Sequence, residues 1–338
     1  MKVLVLGGTG VISRSIVEAA LAKQYEVAVF NRGSKNHLFS GEVECITGDK
    51  SNREQFRELM KDRRFDAVID MISFDAADAQ ATLEALHGRA GQFVFCSSTA
   101  AYKRPFRTIP TAEDAEELFD DPSFAYAFQK AEMERYLGGM IKLGEVPVTI
   151  IRPSLTYGIG CANLGVLRQN FNIVHRIRSR KPLLMFGDGT VPWSFSFAPD
   201  VAKAFVGAVG NSNMYGKSYH ATNEDVHIWQ DLYLEFGKLL GVEPNIVHIS
   251  TDLLVQASPA LFSHLYYEKS YSGLFDNSKL KRDLPGYQAD ISLSAGLSML
   301  LDWYERDGHQ VDTEKDLLED RLTGLYTEFG KQLKLLSI

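Results

Sequence analysis

The sequence predicts an α/β fold: a doubly wound parallel sheet with a smaller, mixed C-terminal lobe. Three observations predict it. Short apolar runs alternate with segments of helical length and periodicity through the first half of the chain, a glycine-rich turn joins the first run to the first helix, and beyond Arg152 the alternation loosens. The runs at 2–6, 26–30, 43–47, 67–72, 92–97 and 147–151 have the length and continuous apolar character of strands covered on both faces. Between them, 11–23, 52–61, 76–87 and 124–142 read as helices, so the pattern is that of right-handed β-α-β crossovers. In the C-terminal half, Gly, Pro and Asn mark turns at 157–163, 181–192 and 241–245, with amphipathic segments at 164–180, 200–209 and 228–240. The expected division is a first domain over 1–157, to which residues 190–220 return, and a second lobe over 158–338.

Composition narrows the class. With 338 residues, 45% hydrophobic and 23% charged, the chain can bury a sizeable core, and a net charge of −7 gives no general attraction to nucleic acid or an anionic membrane. Nucleic acid is therefore an unexpected partner, and no segment is long and apolar enough to span a bilayer. The N-terminal run lacks a basic leader and a small-residue cleavage site, so the expected location is cytoplasmic. Cys45, Cys96 and Cys161 show no C-x-x-C spacing; neither a disulfide framework nor a metal site is expected, and Cys45 and Cys96, in strand-like runs, are expected to be buried.

The turn after the first strand reads Gly7-Gly-Thr-Gly10-Val-Ile-Ser13. Gly7 permits the tight bend and Gly10 lets the backbone approach a pyrophosphate, whose charge would meet the amides and dipole of a helix N-terminus. Gly7, Thr9, Gly10, Val11 and Ile12 are the candidate contacts of a dinucleotide. Ser13 stands where a third glycine would give close helix packing, and serine is small enough to fit.

The second strand runs into Asn31-Arg32-Gly-Ser34-Lys35, without the acid that would hold both ribose hydroxyls of NAD. Arg32, with Ser34 and Lys35 behind it, suits a 2′-phosphate, which favours NADP over NAD. Asp49, after the third strand, is either an acceptor for the adenine amino group or the N-cap of the following helix. The fifth strand ends in Ser97-Ser98-Thr99, at the edge where open α/β sheets bind ligands. Ser98 is the candidate donor to a substrate oxygen and Thr99 its alternate, while Ser97 faces either structure or the nicotinamide. Tyr126 and Lys130 lie four apart at the start of a helix, on one face, where an ammonium can lower the phenol pKa. Without such help a tyrosine is almost fully protonated at neutral pH and a poor base.

Taken in order, Gly7-Gly-Thr-Gly10, Ser97-Ser98, Tyr126-x-x-x-Lys130, Ile151-Arg152-Pro153 with Tyr157-Gly158, Phe186-Gly-Asp-Gly189 and Asp200-Val-Ala202 resemble the extended short-chain dehydrogenases/reductases of the NAD-dependent epimerase/dehydratase type. The resemblance covers residues 1 to about 220 and implies a Rossmann-type sheet. It implies Tyr126 as acid/base, Lys130 as the residue that holds the nicotinamide ribose and tunes Tyr126, and Ser98 as the group orienting the reacting hydroxyl or carbonyl. Met71, Ser97, Pro153 and Leu155 would complete the cofactor site, and a homodimer is the implied assembly.

Two departures bear on the substrate. Nucleotide-sugar members carry an arginine after Gly-Asp-Gly that reaches a diphosphate, whereas this chain reads Thr190-Val-Pro-Trp193-Ser-Phe. Trp193 either stacks on a substrate ring or packs in the core, and Arg168, Arg176 and Arg178 are cations that could compensate. Asp70-Met71-Ile72-Ser73 stands where relatives have His-x-Ala-Ala, and Asp70 has no role in this reading. The expected function is an NAD(P)-dependent epimerase, dehydratase or reductase acting on a sugar or sugar nucleotide. The alternatives are an NADP-dependent carbonyl reductase on a non-nucleotide substrate, and a cofactor-bound regulatory or RNA-binding protein of the same fold.

Overall fold

The computed structural model describes residues 1–39, 41–144, 146–160 and 164–336, so Cys161 and part of the turn expected at 157–163 lie outside the described residues. Six strands alternate with four helices: β1 (Lys2–Leu6), α1 (Val11–Ala22), β2 (Glu26–Asn31), β3 (Val43–Thr47), α2 (Arg53–Met60), β4 (Ala67–Asp70), α3 (Ala76–Ala85), β5 (Phe93–Cys96), α4 (Ala125–Leu143) and β6 (Val148–Pro153). With a seventh strand, Lys217–Ala221, they form one parallel sheet in the order seventh-β6-β5-β4-β1-β2-β3. The order reverses between β1 and β4. In open α/β sheets that reversal, at the carboxyl ends of the strands, is where a ligand crevice forms.

The central strands β1, β4 and β5 are apolar nearly throughout because both faces are covered, whereas the edge strand β3 exposes Glu44, Cys45 and Thr47; the two-residue period divides the buried side chains between two cores. Val3, Val5, Val27, Val29, Ile69, Val94 and Ile151 join Ile16, Val17 and Ala20 of α1 and the helix Ala198–Ala208. Leu4, Leu6, Ala28, Phe30, Val68, Phe93, Phe95 and Ile150 join Phe56 and Met60 of α2, Leu83 of α3 and Met133 and Leu137 of α4 on the other face.

The chain divides into two compact units, Met1–Thr156 with Ser196–Glu224 and Phe275–Asp290, and Tyr157–Phe195 with Asp225–Leu274 and Ile291–Ile338. The stretch Phe275–Asp290 belongs to the first unit, a return that the sequence pattern does not signal. In the second unit the helix expected over 164–180 is shorter, Phe171–Arg178, because positive φ at Gly165, Arg168 and Asn170 breaks its first turns. Cys45, expected inside, is exposed, while Cys96 is buried. Among the described residues no helix is long and apolar enough to cross a membrane.

Candidate active site

The glycine turn follows β1 directly. Gly7 and Gly8 adopt φ of +113° and +92°, which side chains other than glycine rarely adopt, and a Cβ on Gly8 would lie 2.9 Å from Val29 Cγ1. Thr9, Val11 and Ile12 are partly exposed around Gly10. Ser13 does more than fit: its Oγ accepts the Gly10 N–H at 2.9 Å, closing half of a capping box at the N-terminus of α1. The first turn of α1 still presents amides without intrahelical acceptors. A Cβ on Gly10 would meet only Ser13 Oγ, at 3.4 Å, so the approach to this helix end is open. Met71 and Ile72, just past β4, pack over Gly7.

At the end of β2, Asn31 Oδ1 accepts the Gly33 N–H at 2.7 Å, while its buried Nδ2 has no partner. Arg32, Ser34 and Lys35 are exposed beyond it. An unpaired buried amide beside a row of exposed donors, next to a cradle of glycines, suits the adenosine end of a dinucleotide. Asp49 is not the N-cap of α2; Asn52 is, accepting from Gln55 N–H at 3.1 Å. The exposed Asp49 carboxylate instead accepts from the amide and hydroxyl of Ser51, which hold its pKa below the usual range.

At the end of β5 the three hydroxyls separate. Ser97 is buried, and its Oγ donates to Glu134 on α4, so this side chain serves the protein interior rather than a nicotinamide. Ser98 is partly exposed and caps the short turn Thr99–Ala101, its Oγ accepting the Ala100 N–H at 3.1 Å; an acceptor role leaves the O–H to donate elsewhere. Thr99 is 1% exposed, too enclosed to meet a substrate.

Helix α4 carries Tyr126 in its first turn, 43% exposed, and Lys130 one turn later, 2% exposed. The Lys130 ammonium donates to the Ser73 carbonyl at 2.7 Å and to the Cys96 carbonyl at 2.8 Å, and lies 4.9 Å from the centre of the Phe74 ring. It therefore sits at the carboxyl ends of β4 and β5. Burial pushes its pKa down, against the pull of Asp70 and Glu134. Pro153 at the end of β6 is buried and Leu155 partly so.

Two charged groups here, Glu134 and Lys50, were not singled out from the sequence. Glu134 continues the Tyr126–Lys130 face by another four residues and binds Arg152 of β6 through Nε at 2.9 and 3.0 Å and through Nη2. Lys50, 6% exposed, forms an ion pair of 2.8 Å with Asp70, 1% exposed. The signal for Lys50 was Asp70 itself, since a carboxylate at the end of an apolar strand needs a buried cation.

In the second unit Trp193 is fully buried, tilted against Trp229 at 5.4 Å and with the Lys269 ammonium 4.6 Å from its ring centre. Gly273 lies so close that a Cβ there would come within 2.5 Å of the indole. Trp193 is thus a core residue and does not stack on a substrate. Arg176, also fully buried, is spent on Asp316, Glu319 and Asp320, and Arg178 pairs with Glu305. Arg176 and Arg178 are thus engaged by carboxylates, while Arg168, the third candidate, is exposed.

Residues 3–221 match the model of the NAD dependent epimerase/dehydratase family. The chain belongs to this family. It is 27% identical over 315 residues to 2′-dehydrokanamycin reductase of Streptomyces kanamyceticus, covering 93% of this chain and 87% of that protein. It is 24% identical over 261 residues to the chloroplast stem-loop binding protein of 41 kDa b of Arabidopsis thaliana, covering 73% of this chain and 65% of that one. Among solved structures, UDP-glucuronic acid 4-epimerase from Bacillus cereus, in complex with NAD, superposes with a TM-score of 0.72 at 20% identity, over 90% of this chain and 99% of that one. The homologues include a reductase and a decarboxylase, and this family member is an enzyme of the epimerase/dehydratase/reductase kind.

Proposed function

We propose that the protein is an NAD(P)-dependent carbonyl reductase acting on a sugar-like ketone that carries no diphosphate. The observation that carries the reading is the placement of Lys130 between the Ser73 and Cys96 carbonyls, one helical turn behind an exposed Tyr126. The glycine turn, Asn31, Arg32, Met71, Pro153 and Leu155 would hold the dinucleotide, which when bound supplies the hydride for the carbonyl carbon. Tyr126 gives its phenolic proton to the carbonyl oxygen as that hydride arrives. The alcohol leaves with both, and the phenolate recovers a proton from water. Lys130 keeps the phenolate accessible at neutral pH, directly or through a ribose hydroxyl, and Ser98 donates a hydrogen bond to the same substrate oxygen.

Two findings support a substrate without a diphosphate. The residue standing where one would be bound is a buried tryptophan, and one curated relative, 27% identical over 315 residues, is 2′-dehydrokanamycin reductase. The exposed Arg32, Ser34 and Lys35 support NADPH over NADH. The net charge of −7 weighs against an RNA-binding role.

The test uses the purified protein with NADPH or NADH and a panel of keto-sugars, 2′-dehydrokanamycin among them, following cofactor oxidation by absorbance. Turnover is expected to be stoichiometric in cofactor and faster with NADPH. Tyr126→Phe should lose at least about 100-fold in kcat while binding the cofactor as before. Failure of the whole panel, or unchanged kcat in Tyr126→Phe, would overturn the reading.

A further inference from the structure

Asp70, which the sequence left without a role, lies at the centre of a buried polar cluster behind Lys130. Its Oδ2 accepts from Lys50 Nζ at 2.8 Å, Ser73 Oγ at 2.7 Å and Thr82 Oγ1 at 2.6 Å, and its Oδ1 accepts from the amides of Ile72 and Ser73 at 3.0 and 2.9 Å. Lys50 Nζ also donates to Ser73 Oγ at 2.6 Å. Ser73 is thereby tied to Asp70 through both its amide and its hydroxyl. Its one remaining polar group, the carbonyl, is the acceptor for Lys130.

We propose that Asp70 and Lys50 are positioning residues: a neutral, buried ion pair that fixes the Ser73 carbonyl on which Lys130 rests and balances the charge around its ammonium. The proposal rests on the catalytic reading of Lys130 for its functional meaning, although its structural content stands apart from it. A lone Asp70 carboxylate would be costly to bury, and a lone Lys50 would repel Lys130. Together they act on the Lys130 ammonium in opposite directions, Asp70 raising its proton affinity and Lys50 lowering it. Burial does act to raise the Asp70 pKa, but Lys50 and the hydroxyls of Thr82 and Ser73 hold it below the usual carboxylate range. The groups facing Lys130 are Asp70 at the end of β4, Lys50 after β3, Cys96 at the end of β5, and Glu134 on its own helix.

The two members of the pair should act on Lys130 with opposite sign. Asp70→Asn keeps the shape but leaves Lys50 uncompensated, which lowers the proton affinity of Lys130. Lys50→Met leaves Asp70 uncompensated, which raises it. The direct measurement is an NMR titration of the protein labelled with 13Cε-lysine, without cofactor, the Lys130 signal being assigned by its loss in Lys130→Arg. The Lys130 titration is expected to move down by about one pH unit in Asp70→Asn, up in Lys50→Met, and back toward the parent value in the double variant. In turnover, the acid limb of alcohol oxidation should move to higher pH in Asp70→Asn, because a less cationic Lys130 leaves the Tyr126 phenol harder to ionise.

Ser73→Ala, which removes no charge, covers the case in which a charge variant fails to fold; it should raise the KM for cofactor severalfold with a smaller effect on kcat. Movement of both charge variants in the same direction, or no movement of the Lys130 titration, would overturn the proposal, as would a Ser73→Ala enzyme with parental kinetics. If Tyr126→Phe keeps full turnover while the titration moves as expected, the catalytic reading falls and the clamp on Lys130 remains.

Discussion

Ser13 shows how a departure from a motif becomes legible only in three dimensions. Its small volume was readable from the sequence, but its bond to the Gly10 amide depends on the φ and ψ of the turn. Ser13→Ala should cost about 1 kcal/mol of stability, the usual worth of a capping interaction. Ser13→Gly, which restores the third glycine of the fingerprint, should cost more, because glycine adds about 1 kcal/mol of helix penalty. Urea unfolding of the two variants checks this, and a Ser13→Gly protein more stable than its parent would refute it. Asp70 and Trp193 were flagged by the sequence for being unusual, yet their roles were hidden for the same reason. A lone buried carboxylate announces a partner without naming Lys50, and a tryptophan in place of an arginine does not reveal that Gly273 and Trp229 enclose it.

At the scale of elements, α4 organises the site by periodicity. Tyr126, Lys130 and Glu134 follow at four-residue intervals, so one face runs from the exposed phenol through the buried ammonium to a carboxylate beneath. Glu134 is bound to Arg152 and receives the Ser97 hydroxyl, joining α4 to β5 and β6. Glu134→Ala would strand a buried guanidinium, which costs about 3–5 kcal/mol when one member of such a pair is removed. Glu134→Gln keeps one acceptor oxygen for Arg152, and its amide can donate to the Ser97 hydroxyl turned to accept, so it should cost less than Glu134→Ala although the charge is lost. Denaturant midpoints of the two variants measure the difference; a loss below about 1 kcal/mol in Glu134→Ala would show that water or a rearranged side chain relieves Arg152. The helix α4 was readable because nothing breaks its period, whereas the helix expected over 164–180 lost its first turns to backbone conformations at Arg168 and Asn170 that residue type does not announce.

For the molecule as a whole, the parallel sheet was legible because its central strands are apolar on both faces, while the return of Phe275–Asp290 to the first unit was not, since Leu280 and Tyr287 join the core, and polar groups bond distant stretches, without any period in the sequence that marks it. His220 makes one of those polar bonds and two more to other stretches. Its Nε2 meets the Tyr102 hydroxyl at 2.7 Å and its Nδ1 the Asp276 carbonyl at 3.2 Å, while its backbone amide donates to Glu113 at 2.9 Å, so two stretches of chain meet the imidazole and a third meets the backbone of the same residue. With Nδ1–H donating to the carbonyl, the neutral ring leaves Nε2 to accept from the Tyr102 hydroxyl. Burial, and then the nearby Arg152 charge, push its pKa down to about 3. The unfolded chain takes up a proton at this residue near pH 6.5, as an ordinary histidine does, and the folded chain does not until near its own lower value. Between those two values the unfolded state binds more protons, so stability rises with pH there and is lost on acidification. From pH 7 to pH 5 this one residue should remove about 2 kcal/mol. His220→Gln offers an acceptor and a donor that do not titrate, so it should start less stable at pH 7 and lose about 2 kcal/mol less on going to pH 5. Urea unfolding of parent and variant at both pH values decides it. Equal losses would mean that His220 is protonated inside the fold and that the convergence of the three stretches rests on Glu113 and the backbone instead.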